Sequence, residues 1–161
     1  MKKLLSFTAI VLTFSCSSDD DSANEVQNGT LSFNSYYVDK LSTGEERETA
    51  QTLALIHIWN ADNKDFDFDK SKNDLVSGYV YDNVQKKSLK ANYTYLDKWT
   101  LSNELKSGKY VMYVNYGQKT EGRATFSYSY KYFEIRKKEV TFLKKYLRKD
   151  GSYPAFNYHT W

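Results

Sequence analysis

Polar and apolar residues alternate with period two along much of the chain. In TFSYSYKY, Phe126, Tyr128, Tyr130 and Tyr132 fall on one side, and Thr125, Ser127, Ser129 and Lys131 on the other. Successive side chains of a strand point to opposite faces, so this stretch predicts a strand with one buried face. KYVMYVNYG differs: Tyr110, Met112, Val114 and Tyr116 share one face while Val111 and Tyr113 occupy the other. Apolar residues on both sides predict a central strand covered on both faces. Further strands are predicted at Leu31 to Val38, Thr52 to Trp59, Gly78 to Tyr81, Ala91 to Tyr95, Glu139 to Leu143 and Phe156 to Trp161. NADNKD, DNVQKK, NELKSGK, NYGQKTEG and RKDGSYP carry turn residues and separate them. Helix is confined to short pieces, with Thr141 to Arg148 as the candidate. Seven to nine short strands at this spacing predict an all-β fold, a single antiparallel sandwich.

Composition agrees with a sheet. Fifteen Tyr, 9 Phe and 3 Trp make the chain 17% aromatic, and such side chains suit a pleated, half-buried surface. The 133 residues from Gly29 to Trp161 form one domain, able to bury roughly two-thirds of its unfolded surface. With 7 Gly and 1 Pro, no Gly/Ser-rich or Pro-rich stretch after residue 30 marks a linker, and no repeat is visible.

The first residues follow a different logic. Lys2 and Lys3, the apolar run from Leu4 to Phe14 and the small Ser15 match a secretory signal. The run is too short to span a bilayer as a helix, which takes about 20 residues. Residues 1–15 are therefore expected to be removed, 16–28 to form a tether and 29–161 the sandwich domain. LTFSC, ending at Cys16, resembles a bacterial lipobox, with Thr13 standing where Leu is commonest. The resemblance implies a Cys16 that carries diacylglycerol and a third acyl chain, and so a partner in outer-membrane lipid. Ser17, Ser18, Asp19, Asp20 and Asp21 resemble the lipoprotein export signal of Bacteroidota. That resemblance implies display on the outer face of the outer membrane; a plain solvated tether with periplasmic retention is the alternative. Asp21, Ser22 and Ala23 also match the short O-glycosylation pattern of the same bacteria. With its 1 Cys acylated, the mature protein has no disulfide framework, thiol catalyst or cysteine metal site.

A second resemblance lies inside the domain. Leu105, Gly108 and Tyr110 in LKSGKY give Leu-x-x-Gly-x-Tyr just before the strongest strand. The pattern resembles the tyrosine corner of Greek-key sandwiches, where a tyrosine hydroxyl bonds back to nearby backbone. It is also similar to transthyretin-like, carboxypeptidase regulatory-like domains, in which SGYVYD matches an early strand and Ala91 opens the next. The resemblance covers about residues 77–116 and implies an Ig-like or transthyretin-like sandwich. A generic hairpin carries the same short motif.

Charge narrows the partners. The chain has 23 basic and 20 acidic residues. Loss of Lys2 and Lys3 leaves 21 basic, and setting aside Asp19, Asp20, Asp21 and Glu25 leaves 16 acidic in the folded part. That balance is too mild for nucleic-acid binding. YKYFEIRKKEVTFLKKYLRK nevertheless holds eight basic and two acidic residues. It is expected to face anionic glycans or lipid headgroups, or to be a strand edge whose lysines discourage sheet-to-sheet association.

Candidate chemistry is sparse. Asp65, Asp67 and Asp69 in DNKDFDFDK are spaced to offer oxygens to calcium. Lys70 and Val76 fill the glycine and glutamate positions of an EF-hand, however. As a strand, the same stretch puts Phe66 and Phe68 inward and the carboxylates in water. His57 in LIHIW is expected on the face opposite Ile56 and Ile58, and zinc would need it to meet His159 and a carboxylate. There is no Gly-x-Ser-x-Gly elbow and no phosphate loop, and no cofactor is implied. Trp59 is expected in the core. Trp99, between Lys98 and Thr100 beside a turn, is the expected ligand platform. The sequence thus predicts a noncatalytic binding or accessory module for a glycan or surface protein. A small secreted hydrolase and a structural envelope protein are the alternatives.

Overall fold

The computed structural model describes residues 27–50, 54–120, 123–148 and 161. Cys16, the segment from Ser17 to Asp21, His159 and the start of the strand expected at Phe156 lie outside them. The strands run in the order β1 (Asn28–Lys40), β2 (Glu46–Ala50), β3 (Ala54–Asn60), β4 (Phe66–Asp67), β5 (Tyr79–Asp82), β6 (Lys87–Lys90), β7 (Tyr93–Tyr95), β8 (Thr100–Lys106), β9 (Gly108–Thr120), β10 (Arg123–Ile135) and β11 (Val140–Arg148). Only one 3-10 turn, Leu75–Ser77, interrupts them among the described residues.

Three sheets are built from these strands. In the first, β1 pairs β11 along one edge and pairs β8 and then β2 along the other. The second has the order β10-β9-β3-β7, and the third, small sheet the order β4-β5-β6. The chain changes sheets at Ser107, between β8 and β9, where the Tyr110 hydroxyl donates to the Lys106 carbonyl at 2.9 Å.

Two cores account for the hydrophobic patterning. Leu31 and Phe33 from β1, Leu101 and Leu105 from β8 and Leu143 from β11 close on one face of the second sheet. There they meet Ile56, Ile58, Met112, Val114 and Ile135. The other face of the second sheet packs Trp59, Val111 and Tyr113 against Phe66, Phe68, Leu75 and Val80 of the small sheet and its turn. β3 and β9 are therefore covered on both sides, the physical reason they read as nearly continuous apolar runs. His57 lies on the face opposite Ile56 and Ile58, as its place in the alternation requires.

The fold is all-β and sandwich-like, with several departures from expectation. There are eleven strands among the described residues rather than seven to nine. β11 pairs β1 in parallel over nine positions, Thr30 with Val140 through Val38 with Arg148. The segment Thr141 to Arg148 is strand, not helix: its Phe142 and Tyr146 sit at helical spacing, but the long pairing with β1 supplies the hydrogen bonds a helix would have made internally. NELKSGK is likewise no open turn. Leu105 is held in β8 by pairing with Gly29, and NYGQKT continues β9 to Thr120.

Candidate functional site

A groove of about 740 Å³ opens where β9 begins and β10 nears its end. It is walled by the β3–β4 loop (Ala61, Asn63, Lys64), by Val84 of the β5–β6 turn, and by Lys109, Tyr110, Tyr132, Phe133 and Glu134.

Two aspartates fix the walls. Asp62 receives the Lys109 backbone N–H at 3.0 Å and the Asn60 side-chain amide at 2.9 Å, while the Ala61 N–H donates to the Lys109 carbonyl at 2.7 Å. The Lys109 N–H first, and then the Asn60 amide, hold the Asp62 carboxyl below the ordinary carboxylate range, with smaller help from the Lys64 and Lys109 charges. The approach requires Gly108, because a Cβ there would meet Asp62 Oδ2 at 2.5 Å. Asp82, wholly buried, accepts the backbone N–H groups of Asp65 at 3.0 Å, Val84 at 3.1 Å and Gln85 at 3.2 Å. It thereby binds the start of β4 to the turn that carries Val84. Burial pushes its carboxyl up, but those three N–H groups outweigh it and the net displacement is downward.

The aromatic lining comes from both faces of the second sheet. Tyr110 and Phe133 stack with ring centres 5.7 Å apart. Tyr132, half exposed, meets Tyr130 edge-on, and Tyr130 in turn lies flat on Phe68 at 3.8 Å. Burial first, and then the neighbouring Tyr130 and Asp65, push the Tyr132 phenol up to about 12, so it is neutral and able to donate at physiological pH. Lys64, Lys109, Asn63 and Glu134 edge the groove with donors and one carboxylate. The half-exposed Tyr132 beside the exposed Val84, with a polar rim, suits a ligand with one apolar face and several hydroxyls.

The residues singled out from sequence lie elsewhere. Trp99, 39% exposed, stands just before β8, where its carbonyl accepts the Ser35 N–H at 2.9 Å, and it does not line the groove. Trp59 is core, its indole N–H donating to the Leu89 carbonyl at 3.2 Å. Leu105 and Gly108 flank the sheet change, and of that trio only Tyr110 lines the groove. The three spaced aspartates are engaged separately. Asp65 accepts from the Asn83 amide, Asp67 from the Lys70 N–H at 2.8 Å, and the exposed Asp69 pairs with Lys72 at 3.2 Å. Among the described residues no three His, Cys, Asp or Glu converge as metal ligands.

His57 is enclosed. Its Nε2–H donates to the Val76 carbonyl at 3.2 Å, so Nδ1 accepts the Thr94 hydroxyl at 2.8 Å. Burial pulls its pKa down, opposed by the Val76 bond. Its ring lies over Tyr113, with centres 6.1 Å apart.

Sequence reasoning did not find Tyr132 as a site residue. Its alternation with Tyr128 and Tyr130 gave it a buried face, whereas it stands 50% exposed beside the groove. The available signal was the length of the aromatic row, four residues against a small cover.

No family model matches the chain, and neither a curated protein nor a solved structure matches it.

Proposed function

We propose that this protein is a noncatalytic glycan-binding module held on the outer face of the outer membrane by an acylated Cys16 and an acidic tether. The observation that carries the reading is the groove at Tyr132: a half-exposed aromatic ring beside the exposed Val84, with Lys64, Asn63, Lys109 and Glu134 as a polar rim. A sugar ring laid on Tyr132 buries its apolar C–H face, while Lys64, Asn63, Lys109 and Glu134 are within the same groove to bond its hydroxyls. Such a site gains from apolar contact more than from charge, so retention on a neutral glycan should survive moderate salt.

Retention on immobilised neutral and anionic polysaccharides, at low and high salt, tests this. Tyr132→Ala should weaken binding by about tenfold or more, equivalent to about 1.4 kcal/mol, and Trp99→Ala should leave it nearly unchanged. Equal retention of wild type and Tyr132→Ala, or loss only in Trp99→Ala, contradicts the groove. The anchor is tested separately. Cys16→Ala should release the protein from the membrane fraction, and alanine at Asp19, Asp20 and Asp21 should leave it lipidated but protected from protease added to intact cells.

A further inference from the structure

The outer face of β11 is an unusual surface. Val140 is 50% exposed, Phe142 72% and Tyr146 37%, and the exposed Lys144 lies between the two aromatics on the same face. Phe142 is the most exposed of the large apolar side chains among the described residues. Tyr146 stacks on Tyr36 of β1 at 5.9 Å, and the Lys144 ammonium stands 6.0 Å from the Tyr36 ring. β11 is an edge strand, paired only with β1 among the described strands.

Charge decides what can cover this face. Between Arg136 and Tyr146 the exposed charges are four cations, Arg136, Lys137, Lys138 and Lys144, against one carboxylate, Glu139, while Lys145 is buried on the inner face. Pairing of β11 with a second copy would bring two such segments together, with Lys144 repelling its counterpart. An anionic polysaccharide would answer the charge but leave Val140 and Phe142 in water. A bilayer containing anionic lipid answers both. Its headgroups meet the cations, its acyl boundary takes Phe142 and Val140, and the amphipathic tyrosines suit the level between.

We infer that the outer face of β11 is a docking surface for anionic membranes, with Phe142 as the inserting side chain and Lys144 as the central headgroup contact. This inference is independent of the groove at Tyr132.

Vesicle co-sedimentation of the full chain tests it, with Cys16→Ala in every sample so that no acyl chain contributes. Vesicles of phosphatidylcholine alone and mixed with phosphatidylglycerol are compared at two salt concentrations. Binding should rise with phosphatidylglycerol and fall with salt. Lys144→Glu should lower the phosphatidylglycerol-dependent partition by roughly tenfold or more, the scale of a two-unit charge change at an anionic surface. Phe142→Ser should lower it severalfold, and both variants should keep the wild-type unfolding midpoint because both side chains are exposed. Phosphatidylglycerol-dependent binding that persists in both variants overturns the inference. So does capture by soluble dextran sulfate without any vesicle binding.

Discussion

Replacing Asp82 by asparagine changes one oxygen for an amide and leaves shape nearly intact, yet the structure predicts a large effect. The carboxylate takes three backbone N–H groups at 3.0, 3.1 and 3.2 Å in a wholly buried position. If the asparagine oxygen keeps the Asp65 and Val84 bonds, its NH2 is turned against the Gln85 N–H; the flipped amide abandons two donors instead. At least one N–H loses its acceptor, at about 1–3 kcal/mol, and the remaining bonds lose their charge assistance, so the total should be about 2–4 kcal/mol. Against a domain stability of about 5–15 kcal/mol that is a large fraction. The sign with pH follows from the lowered folded-state pKa. Unfolded chain binds the proton more readily, so the stabilisation is complete above the unfolded carboxyl value of about 4 and is lost as pH falls through the folded value. Urea unfolding of wild type and Asp82→Asn should therefore differ most at neutral pH and converge in acid. A neutral-pH difference below about 0.5 kcal/mol, or one undiminished in acid, refutes the reasoning.

Three further outcomes are expected. Tyr110→Phe removes the bond to the Lys106 carbonyl and should cost about 1 kcal/mol in urea unfolding. Gly108→Ala drives a Cβ into Asp62 Oδ2 and should cost more, about 1–3 kcal/mol; adding Asp62→Ala should then cost little extra, because the clash has already displaced that carboxylate. For His57, whose folded pKa is lowered, stability should be flat above pH of about 6.5 and decline as pH falls below it through the folded value. His57→Gln should abolish that part of the decline while leaving the acid loss from carboxylates.

Much of the architecture could be read from residue pattern, and the failures have identifiable causes. β9 and β3 were legible because both faces are buried, and no other arrangement accommodates Val111 and Tyr113 opposite Met112 and Val114. β11 was legible only in part: its start falls within the strand expected at Glu139 to Leu143, whereas the rest read as helix because VTFLKKYLR has apolar residues at both strand and helix spacing, and only pairing with a segment more than a hundred residues away selects strand. β2, with the sequence ERETA, has no apolar face at all and exists through its hairpin pairing with β1. β8 looked like a turn because Asn103 and Glu104 interrupt Leu101 and Leu105, yet those leucines share the inward face. The groove was illegible for a different reason. Its lining comes from four segments far apart in sequence, brought together by Asp62 and Asp82, whose roles depend on backbone N–H groups that no side-chain pattern reveals.

The most direct test of the glycan-binding reading is a titration of the isotope-labelled protein with an oligosaccharide cut from whichever polysaccharide retains it, followed by amide chemical shifts. The account predicts saturable shifts concentrated at Asn63, Lys64, Val84, Lys109 and Tyr132 to Glu134, little change around Trp99, and an oligosaccharide recovered intact. Shifts centred on Trp99 or β11 with these residues silent, or cleavage of the oligosaccharide during the titration, would contradict it.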